Sequence, residues 1–136
     1  MQIPAASNDV SRPLTDSDSA EIRDILAGMG VRIDSTDRRG SKRHAYPAVQ
    51  PAAFFDGRAL PTRDMFEEVT CYNISTGGVA FFWPERPPTR QIVIGLGTPS
   101  KMTFLTARVA HVTPQRDQGK GFLIGCVLTG RANISW

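Results

Sequence analysis

Two groups of residues in this 136-residue chain have side chains suited to binding chemistry. The first is Arg38-Arg39-Gly40-Ser41-Lys42-Arg43, in which Arg39 and Arg43 stand four positions apart. A guanidinium offers a planar fork of donors that matches phosphate oxygens, and its flat face stacks on bases. The second is Asn73-Ile74-Ser75-Thr76-Gly77-Gly78. Asn73 and Ser75 stand two apart at an expected strand end, so their side chains are expected to project from one face. An amide and a hydroxyl placed there can read the edge of a base, and Gly78 permits a close turn or backbone approach. Each group alone is common, since basic runs usually solvate a surface and Ser/Gly turns are widespread. Together they describe a site for a phosphate-bearing base.

Other chemistries find less support. Cys71 and Cys126 lack the CxxC spacing and, with His44 and His111, supply too few ligands for a metal site, so they read as small buried hydrophobes. Cys71 with His111 is the best nucleophile–base pair available, and nothing local activates it; a non-enzymatic role is expected. A nucleic-acid-binding barrel could use the same basic loop with Phe81, Phe82 and Trp83. Those three are consecutive, however, and cannot form one stacking face along a strand. The opening residues "MQIPAASNDV" lack a basic and an apolar signal region, and no apolar run reaches membrane-spanning length. A cytoplasmic location without membrane insertion is therefore expected.

The net charge of +3 is unevenly distributed. Residues 1–37 hold seven acids and three bases, whereas residues 38–136 hold thirteen bases and six acids. A basic body behind an acidic leader suits an anionic ligand, though charge alone identifies none.

The elements that must position these groups are legible as patterns. Residues 1–36 read as a flexible N-terminal segment with a short amphipathic helix at about 18–29. Asp18 is expected to cap that helix with Glu21 three positions later, and Ile22, Ile25, Leu26 and Met29 form its apolar stripe. The stripe must dock on the following domain or on a partner, and docking in cis is the simpler reading. Residues 37–136 read as one β-domain. "AYPAVQPAAFF" carries Pro47 and Pro51, as an edge or bent strand would. "FEEVTCYNI", "GVAFFW", "RQIVIGLG", "MTFLTARVAHV" and "GFLIGCVL" follow; in the third of these, Ile92, Ile94 and Leu96 alternate as in a half-buried strand. Six short strands with turns between them imply an all-β, antiparallel barrel or sandwich.

RxxxR followed about thirty residues later by D/N-x-S-x-x-G, and then by this series of strands, resembles the PilZ domain family. The resemblance covers about residues 38–128. It implies a six-stranded antiparallel β-barrel that binds cyclic di-GMP, a bacterial second messenger. By the same resemblance, Arg39 and Arg43 contact phosphates and a guanine face, while Asn73, Ser75 and Gly78 receive a guanine on the barrel surface. Asn73 stands where the family more often has Asp, a better partner for a guanine N–H, so weaker affinity is implied. Arg38 occupies a position associated with whether one ligand or an intercalated pair binds. His111 falls near where the family sometimes places a ring against the ligand. Many such domains continue into a C-terminal helix; here Trp136 follows soon after the last strand, and the N-terminal helix is expected to cover the open end. The implied role is a switch: capture of the dinucleotide orders the basic loop and changes a surface read by a downstream protein partner. Some domains of this family lose the ligand and serve as protein-docking modules, which is the alternative reading.

Overall fold

After residue 48 the chain runs as alternating or continuous apolar segments between turn residues, and the backbone forms six long strands. The computed structural model describes residues 11–29, 44–75, 77–115 and 121–134. The long strands are β3 (Val49–Phe55), β4 (Glu67–Ile74), β5 (Gly78–Trp83), β6 (Gln91–Thr98), β7 (Lys101–Gln115) and β8 (Gly121–Ala132). They pair antiparallel in the cyclic order β3–β6–β7–β8–β5–β4 and back to β3, which closes a six-stranded barrel. Two short strands are appended: β1 (Ser11–Arg12) on β8 and β2 (His44–Ala45) on β4. One α-helix, α1 (Asp16–Gly28), and a single 3-10 turn, Arg63–Met65, complete the regular elements among the described residues.

β3 shows how proline fits a closed sheet. It pairs with β4 over Val49–Ala52 and with β6 over Ala52–Phe55. Pro51 therefore lies one residue before the β6 ladder begins, where its missing N–H costs that ladder nothing. The strand is bent between two partners.

The barrel interior is filled by Val69, Cys71, Ile74, Val79, Phe81, Ile92, Ile94, Leu96, Leu105, Ile124 and Cys126, all almost wholly buried. Both cysteines are thus small core side chains. α1 contributes Ile22 and Leu26 to this same cluster, and Ile25 packs close to Gly97 near the end of β6. The helix stoppers the barrel end that carries Gly97 and Leu105. The helix begins earlier than its sequence suggests. Thr15 is its N-cap, with extended backbone and a hydroxyl that accepts from the Asp18 N–H, and the Asp18 carboxylate accepts from the Thr15 N–H in return. Asp18 is thus the third helical residue and not the cap, because its carboxylate also answers Arg12 and Arg131. Glu21 is correspondingly free of capping and binds Arg131 and Thr103.

β6 differs from the half-buried strand expected of it: Ile92 through Gly97 are all buried. Its outward Val93 lies under a second cluster with Phe55, Phe104 and Ala132, against which Leu60, Phe66 and Met102 pack. The 56–66 connection folds back over that face, so alternation along β6 does not mark solvent. No helix among the described residues is long and apolar enough to cross a membrane.

Candidate functional site

β4 carries a bulge between Cys71 and Asn73, where Cys71 pairs with Phe81 and Asn73 with Ala80. One extra residue breaks the period of two, so Tyr72 and Asn73 both face outward while Cys71 and Ile74 both face the core. β7 does the same between Val109 and His111, whose partners are Cys126 and Gly125. Ala110 and His111 then both face outward.

The two bulges bring four residues into one register row across the outer barrel wall. Asn73 pairs with Ala80, Ala80 with Gly125, and Gly125 with His111. Three inter-strand spacings separate the ends of the row, roughly 14 Å. The middle positions hold the two smallest side-chain types and the ends hold an amide and an imidazole. The result is a trough of about 210 Å³, with Thr113 and Leu123, themselves a cross-strand pair, continuing its floor. The His111 ring lies over Gly125: a Cβ built there would sit 2.6 Å from the ring. Among the described residues no carboxylate lines the trough. Next to it, Tyr72 and Phe82 meet edge to face at 5.7 Å between centroids.

The chain reaches this wall from the basic segment. His44 pairs with Ile74 and Ala45 with Asn73, so the residues following Arg43 are laid directly beside the strand that carries Asn73. The stem is fixed by Tyr46, whose ring is buried and whose N–H donates to the Tyr72 carbonyl at 2.9 Å. The Tyr46 hydroxyl donates to Gln50 Oε1, and Gln50 in turn bonds both the N–H and the carbonyl of Gly97. Burial pushes the Tyr46 phenol well above its ordinary pKa, so it stays a neutral donor. Among the described residues, His44 Nε2 is the buried side-chain nitrogen left without a hydrogen-bond partner.

The expected site residues divide three ways. Arg38, Arg39 and Arg43 lie outside the described residues. Asn73 lines the trough, half-buried. Ser75 and Gly78 do not line it. Ser75 is buried beyond the end of β4, its hydroxyl accepts from the Gly77 N–H, and its own N–H donates to the Gly78 carbonyl at 2.8 Å. The two side chains expected on one face therefore differ: the bulge turns Asn73 outward, and Ser75 is drawn into the β4–β5 connection. Gly78 opens β5 opposite Val127. Ala80, Thr113, Leu123 and Gly125 were not anticipated; the available signal was a glycine inside the apolar run "GFLIGCVL", which marks a close approach to a strand.

Cys71 and His111 are on opposite faces of the wall, and burial pushes the Cys71 thiol up to about 12. Among the described residues no group of three potential metal ligands occurs. What the trough can do is hold a flat, neutral ring by its face and read its edge with an amide that both donates and accepts. No family model, curated protein or solved structure matches this chain.

Proposed function

We propose that this chain is a cyclic di-GMP receptor of the PilZ type, in which a guanine occupies the trough and the basic segment holds the phosphates. The observation that carries this reading is the Asn73–Ala80–Gly125–His111 row, beside which β2, the strand that follows the Arg38–Arg43 segment in sequence, pairs with β4. A base needs a flat floor, which Ala80 and Gly125 supply, and a polar edge reader, which Asn73 supplies. Its phosphates need forked cations, for which Arg39 and Arg43 are assigned, with Arg38 in reach. Ser75 and Gly78 act here by shaping the connection that fixes the end of β4. Their place in the family motif is then a matter of backbone geometry.

Capture ties the basic segment to the barrel wall. That segment lies between α1 and β2 in the chain, so ligand binding is coupled to the surface around α1, where a partner protein reads it. Calorimetric titration with cyclic di-GMP tests the reading. Arg39→Ala or Arg43→Ala should each weaken binding by about 2 kcal/mol or more, since charge-assisted hydrogen bonds to a buried anion are worth about that much. Unchanged affinity in both variants removes the proposed phosphate contacts, and no binding by the wild-type chain leaves the docking-module reading.

A further inference from the structure

His111 walls a second pocket on its other side. This one, about 570 Å³, lies between the connection from β5 to β6 and the outer face of β7. Arg86 and Arg90 line it together with Pro87, Pro88, Ala110 and His111. Among the described residues neither guanidinium has a carboxylate partner: the ion pairs there engage Arg12 and Arg131. Arg86 is nevertheless held, its guanidinium lying over the Phe122 ring at 5.1 Å from the centroid. Among the described residues no acidic side chain lines the pocket.

We propose that this pocket is a second anion site, one that takes the phosphate group of a small phosphorylated metabolite. Two arginines and a histidine line it with no counter-charge among the described lining residues, a composition that favours an anion from solution. The volume exceeds what a bare ion needs and falls within the range of small-molecule pockets. The consecutive prolines give one wall a fixed backbone, and Val109 and Val112 give the other an apolar surface for the organic part. The inference stands apart from the dinucleotide reading, since it uses no residue of the basic segment. The two sites share one ring: an occupant here touches the same His111 that lies over Gly125.

The test is a titration of the ¹⁵N-labelled full chain with inorganic phosphate and with glycerol 3-phosphate, each against sodium chloride at matched ionic strength. Saturable shifts of the amides around Arg86–Arg90 and Val109–Val112 are expected with both phosphates. Affinity should drop at least tenfold in Arg90→Gln and further in the Arg86→Gln/Arg90→Gln double variant. Asn73→Ala should bind phosphate as wild type does, which separates this site from the trough. Should removal of Arg86 disturb the packing on Phe122, the spectrum will show it, and Arg90→Gln with Arg86→Lys then carries the test. Shifts reproduced by sodium chloride, or affinity unchanged in Arg90→Gln, overturn the proposal.

Discussion

An added methyl group at Gly125 would sit 2.6 Å from the far atoms of the His111 ring, and His111 is an exposed side chain free to swing. A larger residue there should therefore leave the barrel folded while filling the trough. Gly125→Val is expected to weaken cyclic di-GMP binding at least tenfold, read by calorimetry, with a far-UV spectrum like that of wild type. Wild-type affinity in this variant would show that the trough floor is not used. Cys71 supplies a second residue-level test. With its thiol pushed up to about 12 by burial, it should resist iodoacetamide at pH 8 in the native chain and react once denaturant is added. Rapid native alkylation of Cys71 would contradict its place in the core. Asn73 was singled out by its motif, and the structure places it in the trough. Gly125 and Ala80 were not, because their alignment with Asn73 is set by two bulges and by strand pairing, and pairing cannot be read from one strand's own pattern.

At the scale of elements, α1 is clasped by charge as well as by apolar burial. Asp18 is almost wholly buried and joins three elements: Arg12 on β1, the N-terminus of its own helix, and Arg131 on β8. The Arg12 hydrogen bonds hold its carboxyl well below the usual carboxylate range, against the opposing effect of burial. A depressed native pKa contributes stability that is fully present above the unfolded value near 4 and is lost as pH falls below it. The melting temperature should accordingly decline from about pH 4 downward, and more gently in Asp18→Asn than in wild type. Because Arg12 is half exposed and screened by water, Asp18→Ala should cost only about 2 kcal/mol at neutral pH, from its half of the capping box and its bonds to Arg12 and Arg131, while Thr15 remains the N-cap. Equal acid sensitivity of wild type and Asp18→Asn would mean that other carboxylates govern it. The six long strands were readable because each presents alternating or continuous apolar residues between turn signals. The helix start was not, because Thr15 and Asp18 are both good caps, and the choice between them is made by Arg12 and Arg131, distant in sequence or in another element.

At the scale of the molecule, one chain builds a closed barrel and stoppers it with its own N-terminal helix. Removing residues 1–29 uncovers the barrel end where Ile22, Ile25 and Leu26 are buried. Each such side chain is worth about 1.5–3 kcal/mol of burial, offset in part by the ordering of the helix. A loss on the order of 10 °C in melting temperature is expected for the shortened chain; full retention would show that α1 adds nothing to the barrel. The number and character of the strands pointed to a barrel or a sandwich, and the choice of a barrel came from the family resemblance; the row on the outer wall could not be anticipated, since register is a property of pairs. The measurement that bears most directly on the receptor reading is a titration of the ¹⁵N-labelled chain with cyclic di-GMP, followed amide by amide. The predicted result is saturable perturbation centred on Asn73, Ala80, Gly125 and His111, extending along β2 at His44 and Ala45. A silent row, whether the ligand binds elsewhere or not at all, would contradict it.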